Sequence, residues 1–222
     1  MYDKEEDIMA LTGFNPQQVS NSINGVITAY NKLMNEIGSN MQTKFVNGMQ
    51  DKWACSQAQT FFTQDFKPVV DSLILGADET FESVVDSMNS AAQSWAQSTN
   101  YTQYNNVVFE RRNIKMSVDC IQENINSVRG IDLVDAKTVA NELPKISSAA
   151  KEALSDAVTA VSNCGFIGGD QQSYLTSSLN TIKTNIDRAT EAITTQVKTA
   201  IENTVSTYSD VEGKVSQAFN GQ

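Results

Sequence analysis

Asn15-Pro-Gln-Gln-Val-Ser-Asn-Ser-Ile-Asn-Gly-Val-Ile-Thr-Ala-Tyr-Asn-Lys-Leu-Met-Asn-Glu-Ile37 is the stretch that decides the fold. Asn15 before Pro16 reads as an N-cap with proline at the first helical position. Val19, Ile23, Val26, Tyr30, Leu33 and Ile37 then recur in steps of four and three, one stripe of an α-helix. The stripe continues in steps of four through Met41, Phe45, Met49 and Trp53, a drift that slowly turns the buried face about the axis. One helix over about 16–51 is expected. A second stripe follows, from Phe62, Phe66, Val69 and Leu73 through Phe81, Val84 and Met88 to Trp95. Pro68 lies inside it, so its first turn should be separate or kinked. Two long amphipathic helices with a short connection form a helical hairpin over 16–99. One hairpin alone leaves part of its apolar stripe wet, so it needs a second layer.

The rest of the chain offers that layer. Shifted by 113 positions, Val26 falls on Val139, Leu33 on Ile146, Met41 on Leu154 and Phe45 on Val158. In the second helix Phe62 falls on Leu175, Phe66 on Leu179, Val84 on Val197, Met88 on Ile201 and Trp95 on Tyr208. Ala77/Thr190 and Phe81/Thr194 break the match. Residue identity is nearly nil, so the agreement is one of pattern. It divides the chain into an N-terminal tail 1–15, a first hairpin 16–99, a connecting segment 100–130, a second hairpin 131–212 and a C-terminal tail 213–222. In the connecting segment Ile114, Val118, Ile121, Ile125 and Val128 again recur in steps of four and three. It reads as a fifth helix, ended by Gly130, after which Asp132 caps the next. Pro144 should bend that next helix near Asn141 or Glu142. The fold expected is all-α: an elongated antiparallel bundle of two long hairpins, a pseudo-dimer joined by a connecting helix.

Composition removes several function classes. The 222 residues carry a net charge of −10, and nucleic acid and anionic membranes reward the opposite sign. There is no histidine, which rules out Ser-His-Asp and Cys-His catalysis and histidine metal ligands. Cys55, Cys120 and Cys164 lack metal-type spacing, and Phe166-Ile-Gly-Gly169 lacks the Lys-Ser/Thr ending of a phosphate loop. The 26 carboxylates are scattered over helix faces as solvated surface. No catalytic, cofactor or metal residues are expected. The acidic start, Met1-Tyr-Asp-Lys-Glu-Glu-Asp7, has no apolar core of a secretory signal peptide. No apolar run approaches the ~20 residues that span a bilayer, so stable membrane insertion is not expected.

The hairpin turns carry a resemblance. The first reads Trp53-Ala-Cys55-Ser-Gln-Ala58 with Phe61 and Phe62 just beyond. The second reads Phe166-Ile-Gly168-Gly-Asp-Gln171 with Tyr174 and Leu175 at the matching places. An aromatic, one residue and a small residue between two amphipathic helices resembles the turn of the WXG family. These are small, acidic, leaderless hairpins exported by type VII secretion systems of Gram-positive bacteria and mycobacteria. The first turn keeps Trp53 but has Cys55 in the glycine place. The second keeps Gly168 but has Phe166 for tryptophan. An aromatic buried at a helical turn is also an ordinary core residue. The family's hairpins pair as antiparallel dimers, so this chain looks like two of them fused.

Tyr208-Ser-Asp-Val-Glu212 is similar to the family's export signal, a tyrosine with an acid four residues later beyond the second helix. Four residues is one helical turn, so ring and carboxylate share a face. Trp95 and Thr99, the equivalents in the first hairpin, lack the acid. The resemblance implies a secreted, leaderless, non-enzymatic substrate, effector or adaptor, with a secretion-system ATPase or chaperone as partner. It also implies a monomer that serves as its own pseudo-dimer. Two alternatives stay open: an α-helical toxin component, and a surface or phage coiled-coil spacer. The first needs a continuous apolar stretch for membrane entry; Val69–Leu75 comes closest, and Asp71 interrupts it. Antiparallel hairpins would also hold Cys55 and Cys164 too far apart for a disulfide.

Overall fold

The Asn15 carboxamide oxygen accepts the Gln18 N–H at 3.1 Å, and Pro16 opens α1 (Pro16–Met34). The computed structural model describes residues 13–167 and 171–220. After α1 the helix continues with i→i+5 hydrogen bonding through π1 (Asn35–Val46) and ends in the short α2 (Asn47–Met49). The π stretch accounts for the steps of four. In an α-helix each such step rotates the side chain by about 40°. The wider π turn takes more than four residues and rotates it back. Ile37, Met41, Phe45 and Met49 therefore all stay buried.

Beyond the turn come α3 (Ser56–Thr60), π2 (Phe61–Phe66) and α4 (Lys67–Ser98). Pro68 has no N–H, and its ring would meet the carbonyl four residues back in an α-helix. The wide π2 turn ends just before it. Both π stretches stand at the same level, where Phe45 packs on Phe62 (5.4 Å between centroids) and Phe66 (5.2 Å).

The second half opens at Asp132, whose carboxylate accepts the Asp135 N–H at 3.0 Å. Its helices are α5 (Leu133–Ala140), α6 (Glu142–Ser162) and α7 (Gln171–Asn220), and the break at Asn141 is the bend expected from Pro144. Helix α7 runs on through the stretch read as a C-terminal tail. The chain is all-α, with four two-residue strands as its only sheet among the described residues.

Helix α1 packs antiparallel to α6. Ser22 donates to the Asn163 carbonyl (2.8 Å), and Lys32 pairs with Asp156 (2.7 Å). Gly25 permits this approach, because a Cβ there would stand 3.0 Å from the Ala160 Cβ. Helix α7 returns along α6, with Asp187 against Lys151 at 2.8 Å. The two turns thus lie at opposite ends, and each is clamped by the stretch just ahead of the other hairpin. Strand β2 (Trp53–Ala54) pairs with β3 (Gly130–Ile131), and β1 (Gly13–Phe14) pairs with β4 (Phe166–Ile167), both antiparallel. Cys55 and Cys164, one beside each turn, are free thiols.

The connecting segment is not a helix. No helix lies between Ser98 and Leu133; residues 101–129 form an extended strap in the groove between α1–π1 and α4. The alternation of buried and exposed positions explains this. Val107, Phe109 and Arg111 face inward in steps of two, and so do Ile114, Met116, Val118 and Cys120. The phase changes at Asn113, which has φ 49°, a left-handed value that asparagine tolerates better than most residues. The steps of four and three seen in the sequence came from the later half of this pattern, crossed with the turn at Asn126 and Ser127 (φ 50° and 64°).

Side chains of α4 satisfy the strap's backbone. Asn89 donates to the Val107 carbonyl (2.9 Å) and accepts the Val107 N–H (3.0 Å), as a neighbouring strand would. Glu82 pairs with Arg111. Asp71 accepts the Met116 N–H (3.2 Å), and Lys67 donates to the Met116 carbonyl (2.7 Å). Tyr30 donates to the buried Asp78 (2.6 Å) while accepting the Arg112 N–H (2.8 Å). Lys67, Asp71, Asp78, Glu82 and Asn89 follow one another in steps of four and seven, one face of a helix.

Candidate functional site

The first turn is built on aromatic packing. Trp53 is fully buried, stacks on Phe61 at 5.8 Å and meets Phe62 edge-on at 6.2 Å. Its indole N–H is buried without a hydrogen-bond partner, which is uncommon in an interior. Cys55 follows at the N-cap position of α3 in extended backbone and makes no capping bond there. No glycine is needed at that place, because its φ of −165° is open to any residue.

The Cys55 thiol instead lies beside the Tyr208 side chain of α7. Tyr208 is half-buried against the core. Its hydroxyl is held above its ordinary pKa, first by burial and then by Cys55, while Arg129 at the end of the strap pulls the other way. From this point α7 leaves the helical body: residues 209–218 are all exposed, Glu212 among them. The twelve residues 209–220 carry the helix about 18 Å further. Two of their apolar members, Val211 and Val215, are about half exposed.

Trp53, Cys55, Tyr208 and Glu212 therefore gather at one end of the molecule, although the chain separates them widely. Phe166 stands at the opposite end and is only half-buried. Gly168 lies outside the described residues. The glycine that the second turn requires is Gly165, which the sequence reading passed over. Its φ is +78°, and a Cβ there would meet the Asn15 carbonyl and the Val19 nitrogen at 3.0 Å. A glycine directly after the last periodic residue of a helix was the available signal. Arg129 was also missed; its place beside Tyr208 depends on the path of the strap.

The end of the molecule so formed sets a protruding helix beside the buried first turn. Among the described residues no group of three metal-ligating side chains comes together, and no helix is long and apolar enough to cross a membrane. Comparison with protein-family models, with curated proteins and with solved structures finds no match for this chain.

Proposed function

We propose that this chain is a non-enzymatic export substrate of the type VII kind, two WXG-like hairpins in one polypeptide. In this reading an ATPase or chaperone of the secretion system recognises the end where Trp53, Tyr208 and Glu212 meet. One observation supports it above the others: the tyrosine of the Tyr208–Glu212 pair lies beside Cys55 in the Trp53 turn, and the acid is exposed one helical turn on. A receptor could thus read both hairpins together, and only when folded. The secreted effector or adaptor role rests on the same reading.

Glu212→Gln tests it. Glu212 is exposed and in no ion pair among the described residues, and neutralising such a carboxylate moves stability by less than about 0.5 kcal/mol. The charge-assisted contact it would make to a receptor is worth about 1.5–3 kcal/mol, roughly tenfold or more in binding. The melting temperature should stay the same, while protein in the culture medium, measured against the cell pellet of the native host, falls sharply. Thr99→Gln at the equivalent place of the first hairpin should export normally. Normal export of Glu212→Gln would remove Glu212 from the signal.

A further inference from the structure

Charged residues make up 19% of the chain, yet none occurs between Asp7 and Lys32 or between Asp86 and Glu110. None occurs between Asp156 and Asp170, or between Asp170 and Lys183, either. The fold gathers these four stretches at one end of the molecule. There Gly13–Phe14 pairs with Phe166–Ile167, and Trp95, near the end of α4, stacks on Phe14 at 6.4 Å. Tyr101 and Tyr104 meet the same Phe14 ring edge-on at 6.2 and 6.3 Å. The first charge on α1 pairs with the last on α6, Lys32 with Asp156. Measured along α4 and α1, the uncharged end is about 18–24 Å deep. Asp170 and the charged residues of Met1–Asp7 lie outside the described residues.

In place of charge this end presents rings, amides and hydroxyls. Tyr101 and Tyr174 are 38% and 64% exposed. Gln97, Asn100 and Gln103 are exposed, and among the described residues their side chains make no hydrogen bond. Half-buried Trp95 walls a pocket of about 320 Å³ with Ala91, Ser94 and Ser98. Those three neighbours are short, so the indole is the largest side chain of the pocket. Ser94 donates to the Ser90 carbonyl at 3.0 Å, and Ser98 to the Trp95 carbonyl at 2.9 Å. Each hydroxyl oxygen keeps lone pairs with which to accept a further hydrogen bond.

We propose that this end binds a neutral oligosaccharide, with one pyranose ring stacked on Trp95. A pyranose has an apolar face of C–H bonds and a rim of hydroxyls. The indole meets the face, and Ser94 and Ser98 accept from the rim. An amide sets a donor beside an acceptor, which matches adjacent sugar hydroxyls, and Gln97 and Asn100 stand ready for a neighbouring unit. The pocket lies at the low end of the roughly 300–1,000 Å³ of small-molecule sites, room for a single ring. The missing charge selects against other ligands. Phosphates, nucleic acid and anionic lipid require cations, and a protein partner steered by charge finds none here. The site lies at the opposite end from Trp53 and Glu212, so it does not rest on the export reading.

An array of immobilised oligosaccharides, neutral ones beside sialylated and sulfated ones, tests this with the full chain. Binding to neutral members is expected. Ser94→Glu sets a carboxylate in the pocket at an exposed helix position, where circular dichroism and melting temperature should not change. It should weaken binding about tenfold or more, since the charge must shed water against an uncharged ligand. Ser209→Glu, exposed at the other end, should bind as the native chain does. Titration with the strongest neutral ligand supplies a second readout. Tryptophan emission should change, and Trp95→Phe should abolish that change, because Trp53 is buried at the far end. Absence of binding to neutral members overturns the proposal, as does a preference for acidic ones. Binding that survives Ser94→Glu, or an emission change that survives Trp95→Phe, puts the sugar elsewhere and overturns it too. Binding of phosphatidylcholine vesicles with a silent array assigns the end to a membrane surface, and the proposal falls.

Discussion

Tyr30 is where three parts of the molecule meet. Its ring packs on Phe81 of α4 at 5.4 Å and on Phe109 of the strap at 4.7 Å, and its hydroxyl joins Asp78 to the Arg112 N–H. Burial, and then the hydrogen bond to Asp78, push its pKa from 10.0 to about 12. The folded state therefore holds this proton more tightly than the unfolded chain does. The resulting stabilisation is complete below pH 10 and is lost as pH rises through about 12. Tyr104 and Tyr208 are shifted in the same direction, each first by burial. The melting temperature should fall steadily above pH 10. In Tyr30→Phe the fall should be shallower, starting from a neutral-pH stability lower by about 1–3 kcal/mol because Asp78 and the Arg112 N–H lose their partner. An alkaline slope equal to the native one would show that Tyr30 stays protonated equally in both states.

Among the elements, the strap depends most on single side chains, because it has no strand beside it. Asn89 substitutes for one: besides its two bonds to Val107 it accepts the Tyr104 hydroxyl at 3.0 Å. Asn89→Ala removes all three bonds and leaves a half-buried peptide unpaired. Each net bond contributes about 0.5–1.5 kcal/mol, so a loss of about 2–3 kcal/mol is expected. Amide exchange should rise at residues 104–109, while the amides of α1 and α6 keep their relative protection. Uniformly faster exchange would mean that the strap and helices unfold as one unit. The strap also shows how a periodic signal misleads. Steps of four and three contain even separations, so a few apolar residues match both a helix and an extended chain. Here the deciding features were Asn113, Asn126 and Ser127, whose left-handed backbone breaks a helix.

At the scale of the whole molecule, each hairpin supplies the surface that the other needs. Helix α6 covers α1, α7 covers α4 and α6, and each turn is tied to the chain leading into the other hairpin. Such reciprocal burial leaves the core nothing further to recruit. A monomer is expected in sedimentation at micromolar concentration. An obligate dimer would mean that the α6–α7 groove or the exposed Val211–Val215 face is covered by a second chain, and would favour the coiled-coil spacer reading. The reciprocal clamps also make hairpin two hard to form without hairpin one. Unfolding by urea should follow a single transition, with the tryptophan fluorescence and helical circular dichroism midpoints coinciding.

Helices, caps, the bend at Asn141 and most of the core were legible along the chain, because a 3.6-residue period and a capping side chain are local properties. Trp53, Tyr208 and Glu212 were singled out differently, by their resemblance to the WXG turn and export signal. Three features depended on contacts between residues far apart in sequence. The extended strap exists because α4 carries side chains at steps of four and seven that bond its backbone, and that pairing has no signature within the strap itself. The π turns arise where bulky rings at Phe45, Phe62 and Phe66 must share one level of the core. Tyr208 sits on Cys55 because antiparallel hairpins bring the end of the last helix back to the first turn. Local chemistry thus set which segments are helices, and the burial of their shared apolar stripes decided which residues meet.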